Sequence, residues 1–556
     1  MVLFLWYNDT SYDGSNLLYM KKIKCFFAKS YVHMFFLTIL VVGFCTFRDY
    51  GIYIDESLQR THSLISYYKV KSFVHGKSID YCGVAFNKDD PIEKFAEEEH
   101  IKRCISKYVY KYYGVAMQMP LVFIEDIFNF KLSFQTIFYI RHLYTFLIFF
   151  LGLVFLYKIM TNYIIKDKKY ALAAVLFMVL SPHMYGEAFY NIKDSLFMSI
   201  SVINLYFIFK YLKNSNLKNL IVLCFISALV INSRVVGGIY IAVALLYNII
   251  YKRKDIKKML KSSLLMTSFT YIFYILITPA SWANPLTFPF EAIKFFFNYL
   301  DPISKTNFSC LHFGKVYLST NLPWHYLPVW IFITTPLLYI VLFLLGIVTS
   351  SSSVIKKIID KKIKSINFEL LFVNIILIFM LLFVIITRPT LYAGWRHLYF
   401  LYPLIIIDCI VGLKVLFNIK YLKKFVLAIV IINSILLTIW MIKNHPYQYE
   451  YYEYPLRDKI IKNFGMNFYK VSNVDAIKYI LNHDKRKIIK VITHNNDNVN
   501  YIKMVDDYKR IEPVYDIYDA DYIISNHLDD KNKYGKYTKI YTKKIDNKYT
   551  LFTIYK

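Results

Sequence analysis

Apolar runs long enough to enter a membrane recur from residue 31 to residue 442, separated by short polar gaps. A spanning helix needs about 20 mainly apolar residues to cross ~30 Å of hydrocarbon. The pattern predicts eleven spans, near 31–47, 136–158, 171–187, 195–212, 219–233, 235–251, 264–282, 327–349, 367–387, 398–417 and 425–442. Two of these, 219–233 and 235–251, are short, have lysines on their outer flanks and are separated by Arg234. They predict a hairpin whose tip, Ser233–Arg234, reaches the external side or a buried cavity. A charge at membrane depth costs about 2.5–3.5 kcal/mol, so Arg234 calls for an anionic partner.

Lysines crowd alternate gaps: Lys21–Lys29, Lys166–Lys169, Lys252–Lys261, Lys356–Lys364 and Lys420–Lys424. Such clusters mark cytoplasmic span ends. They put residues 1–30 inside as an N-terminal segment, 31–442 in the membrane module and 443–556 outside as a C-terminal domain. The external loops are then about 48–135, 183–194, 283–326 and 388–397. The first predicts surface-lying helices, among them one within IEKFAEEEHIKRCISKYVYKYY. The tail, with KIIKVITH, DADYIISNH and YTLFTIYK, reads as a small α/β domain. No internal repeat is visible, which weighs against a transporter built from duplicated halves.

Composition agrees, with 57% hydrophobic and 19% aromatic residues. The net charge of +29 raises nucleic acid as a partner, but its confinement to span flanks points to topology and anionic lipid instead. Abundant Lys, Asn, Ile and Tyr also suit an A/T-rich genome. No cleavable signal peptide opens the chain, and Met20 is an alternative start. The seven cysteines show no metal-ligand spacing; Cys82 and Cys104 share one external loop and are a candidate disulfide.

External polar residues are sparse enough to be informative. YGIYIDESLQR follows the first span and carries Asp55 and Glu56. SPHMYGEAFYNIKDS carries His183, Glu187, Lys193 and Asp194, RPTLYAGWRHLYF carries Arg396 and His397, and Arg141 opens the second span. Arginine forks match phosphate oxygens, and a carboxylate at the same boundary accepts a proton from a hydroxyl nucleophile. Each residue also has a plainer reading. Asp55 suits the N-cap of a helix starting at Glu56, whose own charge favours that helix end. Arg141 and Arg396 suit snorkelling, His183 and His397 interfacial hydrogen bonding, and Lys193–Asp194 a local ion pair.

Five blocks in order resemble one family: YGIYIDESLQRTHSLISYY, SPHMYGEAFYNIKDSLF, LPWHYLPVWIFITTPLLYIVLFLLG, YAGWRHLYFLYPL and HPYQYEYYEYP. Over about residues 48–465 the chain resembles polyprenyl-phosphate-sugar-dependent glycosyltransferases of the GT-C superfamily, nearest the bacterial relatives of protein O-mannosyltransferases (glycosyltransferase family 39). The resemblance implies a polytopic GT-C fold with Asp55 as catalytic base and Glu56 as its companion carboxylate. It implies donor-phosphate contacts from Arg141, Arg234 and Arg396, with Lys193 and His397, and substrate positioning by Asp194 and His183. Ile192 stands where the family usually has Pro. NFYKVSNVDAIKYIL replaces the Trp-Gly segment that follows HPYQY in many relatives.

The expected function is metal-independent, inverting transfer of a hexose or pentose, mannose among them, from a polyprenyl-phosphate donor to a hydroxyl acceptor. The acceptor is a protein, lipid or glycan. The lipid-linked sugar is a substrate, so no cofactor is expected, and the partners are that donor, the acceptor and membrane lipids rather than nucleic acid. The expected location is the inner (plasma) membrane, with the site facing the periplasm or cell exterior. The alternatives are a flippase or transporter of lipid-linked sugars, a lipid A or surface-polysaccharide modifying transferase of the same fold, and a non-catalytic scaffold.

Overall fold

A computed structural model of the protein describes residues 17–53, 55–76, 108, 110–252, 255–297, 308–454, 456–493, 499–526 and 534–556. Cys82, Cys104 and most of the helix expected within IEKFAEEEHIKRCISKYVYKYY lie outside them. Every apolar run meets a helix or a helix pair. The first is α1 (Leu17–Thr46), which begins inside the segment expected to precede the membrane. Two helices follow outside the runs, α2 (Glu56–Val74) and the short α3 (Met119–Ile127). Then come α4 (Phe134–Ile159), α5 (Lys168–Val179), α6 (Pro182–Tyr190), α7 (Asp194–Lys213), α8 (Leu217–Ser233), α9 (Gly238–Lys252) and α10 (Ile256–Leu276). After α11 (Phe288–Phe297) and α12 (Tyr326–Thr334) the chain returns through α13 (Leu337–Ile359), α14 (Phe368–Thr387), α15 (Tyr402–Phe417) and α16 (Lys423–Lys443).

Among the described residues, seven helical segments are long and apolar enough to cross a membrane, and the bent α5–α6 pair makes an eighth if counted as one span. The apolar part of α1 and the α8–α9 hairpin are shorter. Proline explains where the expected boundaries moved. Its ring removes a donor and clashes with the preceding turn. Pro182 follows the 69° bend between α5 and α6, Pro279 follows the end of α10, and Pro336 splits the run expected at 327–349 into α12 and α13.

Because the spans alternate in direction, the lysine-rich turns gather at one end of the bundle. Four helices leave that end with side-chain caps: Asp167, Asn216, Asp255 and Asn367 each accept a first-turn N–H. In the bundle interior α13 crosses α15 closely. A Cβ on Gly346 would lie 1.9 Å from the Asp408 carbonyl oxygen, and one on Gly412 2.1 Å from that of Leu342. Small residues permit such contact between membrane helices, where packing rather than water drives association.

The opposite end carries a hairpin, β1 (Ser309–His312) with β2 (Lys315–Leu318), and the C-terminal segment. That segment begins with α17 (Arg457–Phe464) and α18 (Asn473–His483). Five strands follow: β3 (Ile489–Thr493), β4 (Ile511–Pro513), β5 (Tyr522–Ser525), β6 (Lys539–Ile545) and β7 (Tyr549–Tyr555). Their order is β4-β3-β5-β7-β6, with β3 parallel to β4 and β5, and β7 antiparallel to both neighbours. The β6–β7 turn holds Asp546 and Asn547 at positive φ, the geometry that suits a tight hairpin. Asp546 also accepts from Trp440, Asn444 and Arg457, pinning the sheet to the end of α16. One continuous apolar core runs from the bundle into this sheet.

Candidate active site

Gly51 brings the first loop against the tail. A Cβ there would lie 2.2 Å from the Val471 carbonyl oxygen. Four residues on, Asp55 occupies the N-cap of α2, yet its side chain makes no capping bond. Glu56 instead turns back and accepts the Tyr53 N–H at 2.8 Å. The Asp55 carboxylate therefore faces outward, where its Oδ2 accepts from the Tyr53 hydroxyl at 2.8 Å and from Arg396 Nη1 at 2.9 Å. A third of that side chain is exposed, whereas Glu56 is fully buried.

Arg396 enters from the turn ahead of α15 and is buried, with the Tyr392 ring 4.7 Å and the Tyr53 ring 5.4 Å from its guanidinium carbon. Its Nε lies 3.9 Å from Asp194 Oδ2. Asp194, the first residue of α7, pairs through its other oxygen with Arg234, at the tip of the α8–α9 hairpin. This is the anionic partner the hairpin required. The chain of charges runs Asp55–Arg396–Asp194–Arg234 across four separate elements. Asn191 locks it in place: its Oδ1 accepts the Asp194 N–H, and its Nδ2 reaches Glu187 Oε2 at 2.5 Å. Tyr399 donates to Glu187 Oε1 at 2.6 Å.

Asp55, Lys193 and Arg396 line one cavity of about 420 Å³. The other walls are largely aromatic, with Tyr53, Tyr113, Trp330, Tyr392, Phe468 and Tyr469 contributing rings. The Lys193 ammonium stands 3.6 Å from the centre of the Tyr113 ring, a cation–π contact, and among the described residues it makes no ion pair. Burial holds Asp55 above the usual carboxylate range; Lys193 pulls it down, Asp194 pushes it up and Arg234 pulls it down. Burial lowers Lys193, Arg234 lowers it further, and Asp194 and Asp55 oppose them. His62, stacked on Tyr113 in the same wall, is pushed down to about 3 by burial and by Lys193. It stays a neutral hydrogen-bonding ring. Among the described residues, no group of three His, Cys, Asp or Glu side chains is placed to hold a metal ion.

Other expected residues lie elsewhere. Arg141 is turned into the protein, where Glu125 bridges it at 2.9 Å to Arg60 at 2.6 Å, tying α2, α3 and α4 together. It is 1% exposed and does not reach the cavity. Glu56 spends its carboxylate on the Tyr53 N–H and on His142 Nε2, 3.2 Å from its Oε1, so it touches nothing in the cavity. His183 bonds the Tyr399 hydroxyl at 2.6 Å and lies 3.1 Å from Glu187, behind the wall. His397 packs its ring 4.7 Å from Tyr392 and does not line the cavity either. Arg234 and Asp194 stand in the layer behind it.

Sequence reasoning missed Gln59, His62, Phe468 and Tyr469, all in the wall. Gln59 and His62 follow Asp55 at helical spacing on one face of α2, and that periodicity was a usable signal. NFYKV had none: it places Phe468 and Tyr469 beside Tyr53, with the two tyrosine rings 4.8 Å apart, a contact only the tertiary fold creates.

Residues 127–282 match the profile of the family described as dolichyl-phosphate-mannose-protein mannosyltransferase. No curated protein matches the chain by sequence. Among solved structures it is similar to ArnT from Cupriavidus metallidurans bound to undecaprenyl phosphate, at 12% identity and a TM-score of 0.45 over 95% of this chain and 98% of that one. It is also similar to the Archaeoglobus fulgidus oligosaccharyltransferase in its apo form, at 12% identity and a TM-score of 0.44 over 87% of this chain and 65% of that one. The family match takes in Lys193, Asp194 and Arg234, and the chain carries at least seven helical segments long and apolar enough to cross a membrane.

Proposed function

We propose that the protein transfers a sugar from a polyprenyl-phosphate donor to a hydroxyl acceptor in the Asp55 cavity, on the face away from the lysine-rich turns. With those turns cytoplasmic, the cavity opens outside the plasma (inner) membrane. The observation that carries the reading is the freedom of Asp55. Glu56 takes over the helix start, leaving an adjacent carboxylate of raised basicity open to the cavity between Arg396 and Lys193.

Asp55 takes the proton from the acceptor hydroxyl as its oxygen attacks the anomeric carbon opposite the phosphate. The bond from that carbon to the phosphate oxygen breaks, and its electron pair leaves with the polyprenyl phosphate. Positive charge develops on the sugar ring, as in glycoside chemistry generally. Lys193 and Arg396 meet the charge on the departing phosphate, while Arg234 and Asp194 hold Arg396 in register from behind. One displacement inverts the anomeric centre. The reading assigns no cofactor, and it admits mannose or another hexose or pentose, with a protein, lipid or glycan as acceptor.

The test is turnover of wild type and Asp55→Asn in proteoliposomes, followed as release of polyprenyl phosphate from a polyprenyl-phosphate sugar. The expected loss is about 10²–10⁴-fold, the usual contribution of a general base, with donor binding retained. Normal turnover by Asp55→Asn refutes the assignment. Transbilayer movement of the lipid-linked sugar without transfer supports a flippase instead.

A further inference from the structure

α7 has two charged ends. Asp194 opens it behind the Asp55 cavity, and Lys213 closes it after 20 residues, about 30 Å away at helical rise. That is the thickness of a bilayer core. A second cavity, of about 240 Å³, opens at the Lys213 end. Lys166, Lys213, Asn162 and Glu369 line it, with Phe209 and Phe372.

Two departures from regular backbone shape this cavity. α4 ends in a π-helical turn, Met160–Ile164, a feature that inserts an extra residue and is frequent at functional sites. Lys166 then adopts a left-handed conformation, φ 63°, which is uncommon for any residue but glycine. Asn367 secures the turn. Its amide nitrogen donates to the Tyr163 and Ile164 carbonyls at 3.4 and 3.1 Å, while its oxygen caps α14. Lys213 lies 5.7 Å from the centre of the Tyr163 ring. Among the described residues, neither Lys166 nor Lys213 is in an ion pair.

We propose that this cavity binds the phosphodiester headgroup of an anionic membrane phospholipid, on the face opposite the catalytic cavity. Two ammoniums and the Asn162 amide suit the phosphate oxygens, and the phenylalanines suit the start of the acyl region. Glu369 sets the charge of the ligand. A monoanionic diester leaves the filled cavity neutral, whereas a dianionic free phosphate meets a carboxylate it repels. Glu369 also accepts hydrogen bonds from headgroup hydroxyls. The shared chemistry is phosphate, and the lipid is favoured over the free ion by this carboxylate and by the two phenylalanines beside it.

The test is native mass spectrometry of the full-length protein in detergent, titrated with phosphatidylglycerol, phosphatidylcholine or inorganic phosphate. Wild type is expected to retain one phosphatidylglycerol in preference to phosphatidylcholine. Lys166→Gln with Lys213→Gln is expected to weaken it by about thirtyfold, two lysines' worth of surface attraction. Lys166→Arg with Lys213→Arg keeps the charge and the binding, which separates lost binding from misfolding. Lys420→Gln with Lys424→Gln, on the same face, leaves binding within about twofold. Unchanged binding by the Lys166 and Lys213 glutamine pair, equal retention of phosphatidylcholine, or displacement of the lipid by inorganic phosphate each overturns the proposal.

Discussion

Asp194→Asn is expected to move the whole pH–rate profile toward acid. Asp194 raises both Asp55 and Lys193. Without its charge the Asp55 carboxyl titrates lower, so the acid limb, where the base must be deprotonated, falls to lower pH. Lys193 also loses its proton at lower pH, so the alkaline limb, where its charge is needed, moves the same way. The size follows from the geometry. Arg396 bridges the two carboxylates at 2.9 and 3.9 Å, so with one guanidinium between them they stand within about 9 Å. At that distance Coulomb's law gives about 0.5 kcal/mol in water and about 2 kcal/mol at an effective dielectric of 20. That is about 0.3–1.4 pH units, and the partial exposure of Asp55 favours the lower half. Asparagine still offers Arg234 an acceptor oxygen, so the fold persists. The assay is kcat/KM for polyprenyl-phosphate release across pH, in wild type and variant. An unmoved profile, or one displaced to higher pH, refutes the charge chain.

Two further outcomes follow from residues outside the cavity. Arg141→Ala removes one partner of the buried Glu125 triad and is expected to cost about 3–5 kcal/mol of stability; donor KM, measured below the melting temperature, stays unchanged, and a raised KM would put Arg141 in the donor site. Burial raises the Glu450 carboxyl to about 8, against the Asn467 N–H that favours its charged form. A carboxyl raised on folding contributes stability that is complete below its unfolded value and is lost as pH climbs through the folded one. The melting temperature of wild type is therefore expected to fall between about pH 5 and 9, and Glu450→Gln to flatten that fall; an equally steep fall in the variant refutes it.

The membrane architecture was largely legible, because a span needs a long apolar run and the chain supplies them one after another. Breaks inside runs were less so: Pro182 and Pro336 lie within apolar stretches, and hydropathy does not register a missing donor. At the site, adjacency misled. Asp55 and Glu56 are neighbours in sequence, but successive residues at a helix start point about 100° apart, so one carboxylate opens outward and the other turns to the Tyr53 N–H. Arg141 resembled Arg396 as a cation at a span end. Its partner, Glu125, lies on α3, a separate short helix that also pairs with Arg60, and no local pattern announces that contact. Arg234 was different: a charge between two short apolar runs demands a counterion, and the demand itself was readable.

The wall of the Asp55 cavity joins Tyr53 to Tyr469, residues from opposite ends of the chain. During synthesis, at about 5–20 residues per second, the first appears roughly 20–80 s before the second. Through that interval the base exists without its enclosure. A chain stopped anywhere before Phe468 leaves the cavity open to water however well its helices insert. The segment that follows the last span thus acts as a completion signal, and the cavity is enclosed only once the chain has passed Tyr469.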